Sequence, residues 1–249
     1  MRVSVITAVF NCSYFIEDCI RSIISQEYRD IEYILIDGGS TDGTLEIIGK
    51  YSKHISCMRS EPDLSMYDAI NKAIGLATGE VIGVLNADDL LADPDVLSAV
   101  VNCFRRNSCD AVYGNLYFVK RNDLTQIVRI WKSGSFRKSD FRFGWMPPHP
   151  TLYLKRAVFK NCGEYSLSFG NSGDYEMILR LFYKNDVSAF FLDRVMVIMR
   201  TGGRSNDSLL RICSTAFHDY RAMKLNSVFN PVIGVILKKL RKLRQFRYV

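Results

Sequence analysis

Two hydrophobic periods alternate along the first hundred residues. Continuous apolar runs at Val3 to Val9, Ile31 to Ile36, Ile55 to Arg59 and Val81 to Leu85 read as strands. Between the first two, Phe15 to Gln26 sets Ile16, Cys19, Ile20, Ile23 and Ile24 along one helical face. Further helices are predicted around Leu45, Ile47, Ile48 and Tyr51, and over Ser65 to Ala77 with Gly79 as the stop. Another follows Asp93-Pro94, an N-cap side chain ahead of a first-turn proline. Such alternation of strand and helix predicts a parallel sheet covered by helices.

The pattern changes after about Asp110. Ala111 to Val119 and Gln126 to Trp131, joined across Lys120 to Asp123, read as a hairpin, and Gly134 to Pro150 as an irregular loop. Asp174 to Tyr183 is a predicted helix, Val187 to Met199 a strand and Asn206 to Met223 a helix. With no Pro/Gly/Ser linker, residues 1–227 are expected to form one α/β domain, its halves meeting at 109/110, with residues 228–249 as a tail.

Composition narrows the class. At 249 residues, with 48% hydrophobic and 24% charged positions, the chain has apolar material for a sizeable core, which excludes a disordered or low-complexity protein. Its seven cysteines form no C-x-x-C pair, so structural zinc is not expected and the thiols read as small core residues in a reducing compartment. The apolar N-terminus runs into Asn11 without a cleavage site and reads as a first strand, not a leader. The net charge of +7 sits mainly on Lys238, Lys239, Arg241, Lys242, Arg244 and Arg247. Beside them Ile233, Ile236, Leu237, Leu240, Leu243 and Phe246 can form one face of a helix after Pro231. That pairing suits an anionic membrane surface; a helix packed on the body and a nucleic-acid arm are the alternatives.

In an open parallel sheet, ligands bind beyond the carboxyl ends of the strands. Four strand ends supply Thr7 to Asn11, Asp37 to Asp42, Glu61 with Asp63, and Asn86 to Asp89. The glycine-rich loop after Asp37 lacks a P-loop lysine, and no G-x-G-x-x-G follows a strand. Asp37 could accept hydrogen bonds from a nucleobase or ribose, or brace its own turn. Asp88 and Asp89 are hard oxygen donors suited to Mg²⁺ or Mn²⁺, or else helix caps. Asp68, Asn71 and Lys72 share one face of the third helix, where an Asp68 to Lys72 surface pair is the plainer reading.

Taken in order, Thr7-Ala8-Val9-Phe10-Asn11, Ile36-Asp37-Gly38-Gly39-Ser40-Thr41-Asp42-Gly43-Thr44, Tyr67-Asp68-Ala69-Ile70-Asn71-Lys72 and Leu85-Asn86-Ala87-Asp88-Asp89 resemble the signature of family 2 glycosyltransferases, in particular bacterial enzymes of lipopolysaccharide, O-antigen or capsule synthesis. The resemblance returns at Pro148-His149-Pro150-Thr151 and Gly173-Asp174-Tyr175-Glu176. It implies a GT-A fold: a Rossmann-like, mostly parallel sheet with flanking helices, a mixed α+β acceptor half and a helical tail. Thr7, Ala8, Val9 and Asn11 would line the base and ribose site, and Asp37 would hold the base. Asp63, Tyr67, Asp68, Asn71 and Lys72 would surround the nucleotide and sugar. Asn86-Ala87-Asp88 fills the D-x-D slot with Asn first, leaving Asp88 as the ligand for Mg²⁺ or Mn²⁺. Asp174 would be the base of an inverting transfer, with His149 and Arg204 meeting acceptor or diphosphate.

The implied partners are a UDP-linked sugar donor and a saccharide acceptor on a polyprenyl diphosphate, at the inner face of the cell membrane and with no nucleic acid. A sugar-phosphate nucleotidyltransferase is the same-fold alternative, without its glycine-rich basic N-terminal loop here. A non-catalytic membrane or nucleic-acid adaptor could use the basic tail but has no need of Asp37, Asp88 and Asp174 together.

Overall fold

The computed structural model describes residues 1–202 and 209–248. Strands β1 (Val3–Val9), β2 (Ile31–Asp37), β3 (Cys57–Ser60) and β4 (Val81–Val84) form a parallel block in the order β3-β2-β1-β4. The connecting helices are α1 (Ile16–Ile24), α2 (Thr44–Lys50) and α3 (Met66–Leu76). Strand β5 (Leu90–Leu91) and helix α4 (Val96–Arg106) follow β4. The second half adds β6 (Ala111–Lys120), β7 (Asp123–Trp131), β8 (Tyr153–Lys155), α5 (Arg156–Cys162), α6 (Gly173–Ile178) and β9 (Ala189–Arg200). Here β8 pairs antiparallel with both β4 and β6, β9 runs parallel to β6, and β7 closes a hairpin on β6.

Side chains of successive strand residues point to opposite faces, and the two cores follow that parity. Val3, Val5 and Val9 join Ile16, Ile20, Ile23 and Val100 on one side, while Ile6, Ile34 and Ile36 join Ala69, Ile70 and Ala73 of α3 on the other. Each fully buried Ile or Leu contributes roughly 1.5–3 kcal/mol, so this matching of period to layer fixes which face of each strand meets which helices.

The predicted hairpin forms, with β7 starting three residues earlier than expected, at Asp123. The loop from Gly134 includes a short 3-10 turn, Lys138–Phe143, that buries Phe141. β5, β8 and α5 lie where no element is predicted, because two- and three-residue strands carry no readable period and α5 buries only Val158 and Phe159. The predicted helix from Asp174 begins as α6 and continues in a wider turn over Leu179–Lys184, where Asn185 N–H donates to Arg180 C=O five residues back.

Two more helices, α7 (Leu209–Leu225) and α8 (Pro231–Arg244), follow, with a short 3-10 turn, Gln245–Tyr248, after them. α8 lies against the body on its Gly234, Val235 and Lys238 side. A Cβ at Gly234 would sit 2.1 Å from Met223 Cε, and one at Gly144 2.5 Å from Gly234 O, so both glycines allow backbone-close packing. Ile233, Ile236 and Leu240 remain half-exposed on the outward side. The expected apolar stripe is therefore present, but the helix docks through Gly234, Val235 and Lys238, beside that stripe.

Candidate active site

The carboxyl ends of β1, β2, β3 and β4 share one edge of the sheet. At the end of β2, Asp37 is fully buried and accepts from Gly39 N–H and Ser40 N–H, each at 3.0 Å, and from the hydroxyls of Ser40 and Ser60. Its carboxylate holds the Gly38–Thr41 loop in shape, the turn-bracing role. Asn11, with φ of +49°, accepts Thr41 N–H at 2.9 Å and ties the β1 loop to it. Thr7 lies wholly inside the α1-side core, its hydroxyl meeting Tyr33 and Cys19, and Val9 is buried with it. Only the main chain of this segment can border the crevice, where Ala8 is part-buried on the opposite face.

Ser65 caps α3, its hydroxyl accepting Asp68 N–H. Lys72 then reaches Asp63 at 2.7 Å, Glu61 at 3.0 Å and Asp68 at 3.4 Å, and these carboxylates, Asp63 first, raise its pKa. The expected pair is thus one edge of a cluster that binds the β3 loop to α3. Asp63 Oδ2 is left buried without a protein partner, beside Gly38, and is an acceptor at the floor of the crevice. Asn71 is spent differently, donating to Tyr165 C=O at 2.8 Å and accepting Tyr165 N–H at 3.0 Å, so its carboxamide locks α3 to the acceptor half.

Beyond β4, Asn86 Nδ2 donates to Asp89 Oδ2 at 2.7 Å. Asp89 is fully buried, and burial first, then the charge of Asp88, pushes its carboxyl well above the usual range. Ala87 is buried beneath the turn, and Asp88 alone turns a part-exposed carboxylate outward. Two arginines surround it that were not singled out in the sequence. Arg121, in the β6–β7 turn, lies 3.7 Å from Asp88 Oδ2, and Arg200, at the end of β9, donates to Asp88 C=O at 2.8 Å and pairs with Asp18. Both stack over Phe15 and, with Tyr14 and Asn122, border a cleft of about 670 Å³. A cation ending an apolar strand was the available signal for Arg200, since a buried guanidinium requires a partner. Arg204 lies outside the described residues.

Across the crevice stands Asp174, at the first turn of α6. Tyr67 OH donates to its Oδ1 at 3.3 Å and accepts its N–H at 3.1 Å. Gly173 permits this, because a Cβ there would meet the Tyr67 ring at 2.6 Å. His149 Nδ1 lies 3.1 Å from Asp174 Oδ2. Burial drives the Asp174 carboxyl up, but the charge and hydrogen bond of His149, then the charge of Lys238 from α8, outweigh it and hold the pKa at about 2. Lys238 Nζ sits 3.4 Å over the Tyr175 ring and 2.8 Å from Asp219 Oδ2. Lys238, expected on a basic tail that meets an anionic membrane, is turned instead onto the body, beside the residue that follows Asp174.

Residues 4–165 match the model of the family "Glycosyl transferase family 2". A "PGL/p-HBAD biosynthesis glycosyltransferase" of Mycobacterium bovis is 30% identical over 183 residues, 72% of this chain and 69% of that protein. Chondroitin synthase of Pasteurella multocida is 30% identical over 184 residues, 72% of this chain but 18% of that one. Among solved structures, S. aureus TarS 1-349 in complex with UDP-GlcNAc has a TM-score of 0.71 at 18% identity, covering 92% of this chain and 66% of that one. Against the longer TarS chain the coverage falls to 39%. Mannosyltransferase PcManGT from Pyrobaculum calidifontis, in complex with GDP-Man and Mn²⁺, has a TM-score of 0.70 at 20% identity, covering 99% of this chain and 73% of that one.

Proposed function

Because the chain belongs to glycosyl transferase family 2 and has its α/β GT-A fold, it is a glycosyltransferase that takes a nucleotide-sugar donor, and we propose that it works with inversion on a UDP-linked sugar. One observation carries this reading: the Tyr67–Asp174 hydrogen bond joins the donor-side helix α3 to α6 and sets a part-buried carboxylate beside the strand-end crevice. Residues 1–227 act as the transferase domain, with the 228–249 tail seated on it.

The Gly38–Thr41 loop and Asp63 Oδ2 receive the base and ribose, and Asp88 faces the diphosphate. An acceptor hydroxyl attacks the anomeric carbon as the bond to the diphosphate breaks, and the departing oxygen keeps the electron pair. The hydroxyl proton passes to Asp174. A carboxylate of such low basicity suits a late proton transfer, when the forming C–O bond has made the hydroxyl acidic. His149 keeps that carboxylate ionised, and His149 and Tyr67 together fix its direction.

Mg²⁺ or Mn²⁺ fits this site as a shared ion. Among the described residues no three His, Cys, Asp or Glu side chains converge, and Asn86 and Asp89 bind each other, which leaves Asp88 to hold the metal with the donor's own phosphates. Such an ion supplies charge neutralisation for the leaving diphosphate. Arg121 lies close enough to Asp88 to add to it, while Arg200 fixes the Asp88 main chain. A panel of nucleotide sugars screened by thermal denaturation is expected to raise Tm with UDP-linked members in Mn²⁺, about 2.7 kcal/mol at a ligand excess of 100-fold over Kd. Stabilisation by nucleoside triphosphates and by no diphospho-sugar would favour the nucleotidyltransferase reading.

The acceptor is a lipid-linked saccharide on a polyprenyl diphosphate in bacterial surface-polysaccharide synthesis, met at the inner face of the cell membrane. None of the described helices is long and apolar enough to cross a membrane. Phe229, Ile233, Ile236 and Leu240, at least half-exposed on and just before α8, supply the surface for peripheral docking. Ile236→Glu with Leu240→Glu is expected to abolish sedimentation with phosphatidylglycerol vesicles, while the folded protein remains in the supernatant. Pelleting of the double variant like the parent would refute docking through α8. Truncating the tail is a poorer test, because α8 is anchored to Asp219, Met223 and Gly144.

A further inference from the structure

Tyr67 and Asn71 stand four positions apart on α3, hence on one face, and a single residue of the acceptor half takes both. The Tyr165 ring stacks on the Tyr67 ring, with 5.3 Å between centroids and 14° between planes. The Tyr165 main chain exchanges two hydrogen bonds with the Asn71 carboxamide, which donates at 2.8 Å and accepts at 3.0 Å. The segment that carries Tyr165 is held from α6 as well. Arg180, on the wider turn that continues α6, donates to Gly163 C=O at 3.0 Å and Glu164 C=O at 2.6 Å, and pairs with Glu176 at 3.1 Å. The two helices that carry Tyr67 and Asp174 are therefore keyed to the same short stretch after α5.

What this stretch fixes is the Tyr67 hydroxyl. The ring lies against Tyr165 and against the Gly173 backbone, where a Cβ would come within 2.6 Å of it, and its OH accepts Asp174 N–H and donates to Asp174 Oδ1. At 3.3 Å the second of these bonds is already long, so a small shift of the ring breaks it. His149 meets the other carboxylate oxygen, and the direction of the carboxylate depends on both partners. The family resemblance sets Tyr67 and Asn71 around the donor's nucleotide and sugar, yet the Asn71 carboxamide is engaged through both its donor and its acceptor by one main-chain residue. We infer that Asn71 and Tyr165 are positioning residues for the general base and not contacts of the donor: together they set the Tyr67 ring, and through it the direction of the Asp174 carboxylate. The base role of Asp174 on which this depends belongs to the transferase reading.

UDP release from a panel of UDP-sugars, with water in the acceptor's place, gives the turnover readout. Asn71→Ala is expected to lower its kcat by about 10–10²-fold, the cost of misplacing a catalytic group by an ångström. The Kd of UDP by calorimetry should stay within about twofold, which separates positioning from donor binding. Asn71→Asp still accepts Tyr165 N–H but loses the bond to Tyr165 C=O; it should lower kcat at least about threefold at unchanged Kd, and carries the test if the alanine variant does not fold. Tyr67→Phe lowers kcat by itself, and in that background Asn71→Ala should cost less than about threefold more, because both act through one hydroxyl. Hydrogen exchange at Asp174 N–H, whose acceptor is Tyr67 OH, reads the same link without turnover. It should quicken at least about tenfold in Asn71→Ala, while exchange at Ile34 N–H, inside β2, stays within about twofold. Weaker UDP binding at unchanged kcat would make Asn71 a donor contact, and unchanged Asp174 exchange, or losses that multiply in the double variant, would mean that it does not act on the base; each overturns the inference. A parent that releases UDP from no sugar fails the transferase reading instead, and the exchange measurement still decides the positioning.

Discussion

Asp174→Asn is expected to leave donor binding within about twofold and to lower transfer by roughly 10²–10⁴-fold, the range that a positioned general base contributes. Asn keeps the shape of the side chain and one acceptor oxygen, enough for one of the two hydrogen bonds from Tyr67 and His149, but cannot take a proton, so loss of transfer with an intact fold and unchanged donor binding isolates the chemical step. A variant within tenfold of the parent would reject Asp174 as the base. The companion change His149→Gln carries a sign. Burial raises the Asp174 pKa, and His149 first, then Lys238, outweigh it to give about 2, so removing the imidazole lets the pKa rise. Asp174 is then protonated at higher pH, and the acid limb of the kcat profile should move upward in pH. In the parent, the stability that this depressed carboxylate contributes is present above its ordinary value and is lost as pH falls through about 2.

Asp88→Ala has the second large effect. Donor binding should lose its enhancement by Mn²⁺, expected to be at least tenfold in the parent, or about 1.4 kcal/mol. Transfer should fall by about 10²–10³-fold, as for removal of one electrostatic stabiliser of a leaving group. Asp89, buried and bonded to Asn86, is not placed to substitute for it. Metal enhancement that survives Asp88→Ala would move the metal elsewhere or remove it from the account.

The parallel block was readable because its strands and helices keep their periods and its loops end in turn residues, and the same order brought Asp63, Asp88 and Asp174 to the fore. Thr7 illustrates a signal that was present but unused: it shares parity with Val3, Val5 and Val9, the residues that pack on α1, and so belongs to the core. Asn71 could not be separated from a ligand by sequence, since its partner is the main chain of Tyr165, 94 positions away. Arg121 and Arg200 reach Asp88 only because β6 and β9 pair in parallel, a contact with no local signature. The sequence predicts an amphipathic helix for the tail, and α8 forms there. Which face meets the body was decided by Gly234 fitting against Met223 and by Lys238 finding Asp219 and Tyr175, neither of which a helical period contains.

Anomalous diffraction at the manganese edge from crystals soaked with UDP and Mn²⁺ tests the central claim most directly. The expected map has a manganese peak within bonding distance of the Asp88 carboxylate and of the UDP diphosphate, the base lying on the Gly38–Thr41 loop and Asp174 facing the open end of the diphosphate. UDP bound away from the β1–β4 strand ends, or a manganese peak not in contact with Asp88, would contradict it.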